Sequence, residues 1–117
     1  MATAGKVAKN IGGRLGNAAT RTQINEIAEI LEKRGYTILG GGGKKGEEYL
    51  KPMANGRKGG SYIDITASHP KYGTLRINTI DVLRDRMTPT ARERRNAIRI
   101  RKQIGSKNHL LLIPKTR

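Results

Sequence analysis

Two aspartates stand where a strand tolerates them worst. Asp64 lies between Ile63 and Ile65, and Asp81 between Ile80 and Val82, each within a stretch otherwise apolar or hydroxylated. Aspartate is a poor strand former and is costly to bury without a partner. Either these carboxylates fix a hairpin through Arg76, Arg84 or neighbouring backbone, as buried ion pairs do, or they act on a substrate. Other groups accompany them. Glu47 and Glu48 follow a run of glycines and are placed to add a carboxylate, while Glu26 lies on the shoulder of a helical stripe. His69, beside Pro70, and His109 read as turn and strand-end residues.

The charge balance points to the substrate class. Twenty-four Lys and Arg residues face nine acidic ones, a net +15 that attracts polyanions and makes nucleic acid the default partner. An acidic protein would satisfy the same field. The absence of cysteine excludes disulfides and thiolate metal sites. No stretch approaches the roughly 20 apolar residues of a membrane span, and the N-terminal segment lacks a hydrophobic signal core. Export then depends on sequence outside this chain.

The 117 residues suffice for one domain with a modest core. Residues 1–19, rich in Gly, Ala, Lys and Asn, read as a flexible linker or arm, and residues 20–117 as a single domain. A first helix opens on the Thr20/Gln23 capping-box spacing, carries Ile24, Ile27, Ala28 and Leu31 as its stripe, and stops at Gly35. A short strand, Tyr36 to Leu39, runs into four glycines and Lys44-Lys45. The P-loop pattern fails there, since Lys45 is followed by Gly46, so the segment reads as a flexible basic loop able to follow a phosphate backbone.

The acids fall on the next unit. Ser61 to Ala67 and Thr74 to Leu83 form a hairpin around His69-Pro70-Lys71-Tyr72-Gly73. A second helix starts at Thr90, whose spacing to Glu93 repeats the capping box. At about 100° per residue, Ile100 and Ile104 share a side with Glu93, while Arg92, Arg95, Arg99 and Lys102 line another. Four cations on one face call for an anionic partner. His109 to Ile113, closed by Pro114, reads as a strand buried on both faces. The expected architecture is α/β, helix-strand-strand-strand-helix-strand, with a mixed sheet.

This order, with acids in the middle strands, resembles the PD-(D/E)XK nuclease core. The strings GNAATRTQINEIAEILEKRGY, EEYL, GGSYIDIT, LRINTIDV, TPTARERRNAIRIR and LLLIPK together resemble the C-terminal toxin domains of contact-dependent growth inhibition and related bacterial polymorphic toxins, particularly those that cleave tRNA. The resemblance implies a nuclease carried on a secreted or cell-surface delivery protein, acting in the cytoplasm of a target bacterium, and neutralised by a cognate immunity protein. In such a core, Glu26, Asp64 and Asp81 are the matching acids, with Asp64 and Asp81 binding Mg²⁺ or another divalent metal if the enzyme is metal-dependent.

One departure is plain. The second arm reads Arg76-Ile77-Asn78-Thr79-Ile80-Asp81 and has no Glu-x-Lys. Arg76 or a helix cation is then the substitute for lysine, and Thr79, on the strand face of Asp81, is placed to position water or phosphate. A metal-independent ribonuclease would instead use the neighbouring 2′-hydroxyl as nucleophile. The candidate catalytic residues are thus Asp64, Asp81, Thr79, Glu26 and Glu93, the last divided between catalysis and capping. The nucleic-acid-binding candidates are Arg76, Arg92, Arg95, Arg99, Lys102, Lys44 and Lys45. The expected function is tRNA cleavage, with an acidic immunity protein as partner. The alternatives are a metal-dependent DNase on the same fold and a non-enzymatic basic RNA-binding domain. With no Phe or Trp, recognition by shape and phosphate is expected over stacking on aromatic platforms.

Overall fold

The structure, a computed structural model, describes residues 18–52, 60–105 and 109–116. The arm expected over residues 1–19 lies outside them except for Ala18 and Ala19, which are helical. Helix α1 spans Ala18–Lys33 and buries Thr20, Ile24, Ala28 and Leu31. Thr20 therefore sits inside the helix and does not cap it. Gln23, its supposed partner, reaches across the fold, donating to the Pro114 carbonyl and accepting from the Thr116 amide, both at 2.9 Å. The predicted stop is observed: Gly35 takes φ +95°, with Tyr36 N–H on the Leu31 carbonyl and Gly35 N–H on that of Glu32. That is the Schellman pattern.

The strands are β1 (Thr37–Gly41), β2 (Glu48–Leu50), β3 (Ser61–Ile63), β4 (Ile65–His69), β5 (Gly73–Ile80) and β6 (His109–Pro114). Helix α2, Ala91–Ile104, precedes β6. The fold is mixed α/β, and its main sheet is mixed. In the order β1-β4-β5-β6, the first two pairings are antiparallel and β5 runs parallel to β6.

Two expectations about strands change. The first hairpin arm is not continuous: the chain breaks at Asp64, so β4 pairs with β5 while β3 pairs with β2 in a separate ribbon. The short strand at Glu48–Leu50 escaped the sequence reading because three residues give no periodicity to detect. Strand β6 is not buried on both faces either. It occupies a sheet edge, with His109, Leu111 and Pro114 exposed.

One apolar cluster joins α1 to the sheet: Ile24, Ala28, Leu31, Ile38, Ile65, Ala67 and Ile77. The alternation of strands sends Thr66 and Arg76 to the opposite face. There they meet Glu48 of β2, so the ribbon covers that side. Helix α2 is fastened to the ribbon by Gln103, which accepts from Ser61 Oγ at 2.8 Å and donates to the Lys51 carbonyl at 2.9 Å. Its inward side, with Ala97 and Ile100 buried and Glu93 and Ile104 half-buried, follows the predicted periodicity.

Candidate active site

The break at Asp64 creates the site. The β4–β5 ladder stops at Ile65↔Ile77, so on that side Thr79 has no strand partner, and the Asp64 carboxylate takes that place. Its Oδ2 accepts from Thr79 N at 2.7 Å and from Thr79 Oγ1 at 2.9 Å. The Asp64 amide in turn donates to Asn78 Oδ1 at 2.7 Å. Thr79 therefore orients Asp64, with its hydroxyl proton committed to that carboxylate.

The glycine run brings a second carboxyl to the first. It is a fixed turn: Gly41, Gly42 and Gly43 have φ of +65°, +70° and +78°, a region costly for residues with a Cβ. Gly41 also approaches so closely that a Cβ would lie 1.9 Å from the Asp64 carbonyl oxygen. Gly42 N–H donates to that oxygen at 3.0 Å. The turn delivers Glu47 to Asp64, and their side chains hydrogen-bond. Burial first, and then the Asp64 charge and the bond between them, push the Glu47 carboxyl up to about 8. Burial also raises Asp64, against the pull of Thr79, Glu47 and the Lys115 ammonium. Both carboxyls are thus raised, and the hydrogen bond between them favours a proton held within the pair.

Lys115 supplies the cation. Parallel pairing of β5 with β6 sets Ile80 opposite Pro114, and Lys115 N–H continues the ladder to the Ile80 carbonyl at 2.9 Å. Its Nζ lies 3.5 Å from Asp81 Oδ1 and acts electrostatically on Asp64. Lys115, the residue after β6, is thus the cation that stands beside these acids. Arg76 does not take that place, because its guanidinium is held by Glu48 through two 2.8 Å bonds. Within this pair, Arg76 holds the Glu48 carboxyl below its ordinary range.

Asp81 sits one residue beyond β5 and is held by the start of α2. Glu93 Oε2 accepts from the Asp81 amide at 2.8 Å, and Thr90 N–H donates to the Asp81 carbonyl at 3.2 Å. Thr90 Oγ1 caps the Glu93 amide as the spacing predicted. The carboxylate of Glu93, however, goes to Asp81 instead of completing the box. The Asp81 side chain faces Lys115 and Arg92, the latter at 3.6 Å.

The remaining candidates are scattered. Glu26 is exposed on α1, and among the described residues its side chain has no hydrogen bond or ion pair. Lys44 pairs with Glu32 at 3.3 Å, and Arg99 donates to Ser61 Oγ at 3.1 Å. Lys45, Arg95 and Lys102 are exposed. Glu47 was recognisable as a carboxylate source after the glycines, but its proximity to Asp64 depends on a ribbon that leaves no periodic signal. Lys115 stands in the final string, and only the β5–β6 register makes it part of the site.

The expected metal ligands, Asp64 and Asp81, do not fit a divalent ion. The first spends an oxygen on two Thr79 donors, and the second faces an ammonium and a guanidinium. Among the described residues, no three His, Asp or Glu side chains are grouped to hold a metal. No described helix is long and apolar enough to cross a membrane. No protein-family model matches the chain. No curated protein and no solved structure matches it either.

Proposed function

We propose that the chain is a ribonuclease that cleaves tRNA by acid–base transesterification, as the toxin of a contact-dependent growth-inhibition system. The observation that carries this reading is the proton-sharing pair Glu47–Asp64 beside Lys115, an ammonium that also reaches Asp81. Buried carboxyls in contact, both raised above their ordinary range and beside a cation, are candidates for acid–base roles. The net charge of +15 supplies the affinity for a polyanion.

In this mechanism the scissile phosphate lies against Lys115. Asp81 accepts the proton of the 2′-hydroxyl as its oxygen attacks phosphorus, and Lys115 offsets the charge gathering on the non-bridging oxygens. The bond to the 5′-oxygen breaks, and Glu47 gives that oxygen its proton, leaving a 2′,3′-cyclic phosphate and a 5′-hydroxyl. Asp64, anchored by Thr79, holds Glu47 in place; Asp81 then releases the 2′-hydroxyl proton to water and Glu47 takes one back from water, which restores the starting state. Arg92, Arg95 and Lys102 carry flanking phosphates. The delivery protein and an acidic immunity protein covering this basic face belong to the same proposal.

The test is incubation of the protein with bacterial tRNA and with duplex DNA, each with Mg²⁺ or chelator, beside Glu47→Gln and Lys115→Met. RNA fragments with cyclic-phosphate ends are expected in chelator, with each variant slower by roughly 10²–10⁴-fold. Chelator sensitivity, or equal cutting of DNA, would overturn the acid–base route and favour a cation taking the place of the proton between Glu47 and Asp64. Intact nucleic acid throughout would remove the enzyme reading in favour of a binding domain.

A further inference from the structure

Two of the four tyrosines meet on the solvent side of the ribbon. Tyr49 pairs directly with Tyr62 across β2 and β3, their ring centroids 5.0 Å apart and inclined at 46°. Their neighbours on each strand point inward: Ser61 and Ile63 are buried, and Glu48 bonds to Thr66 and Arg76. The tyrosines are 47% and 41% exposed, unusual for large rings that pack on each other. Tyr49 is also held from behind, since a Cβ on Gly60 would fall 2.4 Å from its Cζ. The rings form a braced corner open to solvent.

Their position relative to the acids gives the corner a use. The antiparallel register runs Leu50↔Ser61, Tyr49↔Tyr62, Glu48↔Ile63. Continued by one step, it sets Glu47 opposite Asp64, where their side chains hydrogen-bond. Tyr49 follows Glu47 by two residues and Tyr62 precedes Asp64 by two, so no more than roughly 7 Å of chain separates each ring's residue from its acid. That is about the spacing of successive phosphates along an extended single strand, so a nucleotide next to the scissile bond would bring its base to the rings.

We infer that Tyr49 and Tyr62 form a nucleobase-stacking subsite for an unpaired nucleotide flanking the cleaved phosphodiester, an inference that rests on the ribonuclease reading. Aromatic faces accept any base, so this subsite selects single-stranded geometry over sequence. Composition argued against aromatic platforms because the chain has no Phe or Trp. Pairing across the ribbon concentrates two of its tyrosines beside the reacting groups.

The test separates binding from cleavage. A short single-stranded RNA carrying 2′-O-methyl groups is titrated into wild type, Tyr49→Ala, Tyr62→Ala and the two Phe variants, and the same set cleaves an unmodified RNA. Each Ala variant is expected to weaken binding by roughly 5- to 100-fold, with the salt dependence of affinity unchanged and the Phe variants within about twofold of wild type. An abasic site at the flanking position should weaken wild type and leave the Ala variants unaffected. Ala variants that bind as wild type, or Phe variants as weak as Ala, would overturn the subsite. If no protein cleaves the unmodified RNA, the ribonuclease reading fails, and the binding series still decides whether the rings stack on a base.

Discussion

Glu47 keeps a proton at a pH where ordinary glutamates have lost theirs, and stability should register it. Its carboxyl is raised from about 4.5 to about 8 in the folded protein. Between those values the native state binds more protons than the unfolded chain, so this group's contribution to stability is full below 4.5 and is lost as pH rises through about 8. Asp64, also raised, works in the same direction, whereas Glu48, lowered by Arg76, contributes above its ordinary range and is lost on acidification. Urea denaturation of Glu47→Gln from pH 5 to 8.5 should show a flatter profile than wild type and a higher midpoint at pH 8.5, together with the loss of cleavage. A stability gain coupled to inactivity distinguishes a functional carboxyl from a structural one. The oddity of Asp64 inside a strand was legible from its neighbours. Which group it touched was not, because Glu47 and Lys115 are brought to it by pairings between distant segments.

Two elements hold the acids at their stations. The glycine turn after β1 presses against the Asp64 backbone, and the N-terminal turn of α2 grips the Asp81 peptide through Thr90 and Glu93. Gly41→Ala adds a methyl 1.9 Å from the Asp64 carbonyl oxygen, in a left-handed conformation that itself costs about 1–2 kcal/mol. The turn must shift, so the melting temperature should fall and Glu47 should separate from Asp64. Hydrogen exchange at the Gly42 amide, which donates to that oxygen, would report the change. Unaltered exchange and activity would show that the turn does not position the pair. Both helices, the hairpin and the mixed sheet were readable from periodicity and turn residues. The Thr20 cap was not correct, since Ala18 and Ala19 already continue the helix, and β6 looked doubly buried because an apolar run has the same composition at an edge as in the centre.

For the whole molecule, the net +15 divides into cations with work inside the fold and cations facing outward. Arg76 belongs to the first group, held by Glu48 with little exposure. Arg95 and Lys102, on the outer side of α2, belong to the second. Arg76→Ala should therefore cost stability, about 2 kcal/mol for charge-assisted bonds left unmade. Arg95→Ala and Lys102→Ala should leave stability nearly unchanged and each reduce the salt slope of RNA affinity by about 0.7–0.9. Thermal melts beside binding isotherms at several salt concentrations separate the two groups. Equal salt slopes in all three variants and wild type would place the phosphate path elsewhere. Sequence alone counted these cations correctly, but the helical wheel could not show that Arg99 is tied to Ser61 or that Lys44 is engaged with Glu32.

The bonds from Gln23 to Pro114 and Thr116 join the first helix to the last strand. They also set a clock. Lys115 follows every other residue of the site in the chain, so a ribosome that has made residues 18–105 has built both acids, the glycine turn and the grip of α2, yet no ammonium beside them. On the ribonuclease reading proposed above, a nascent chain would lack its cation until β6 had emerged and docked along β5, and unfolding would remove it again until that strand returned. If the chain is the nuclease proposed, the interval between Asp81 and Lys115 is one in which an inhibitor would meet a surface already basic and not yet complete.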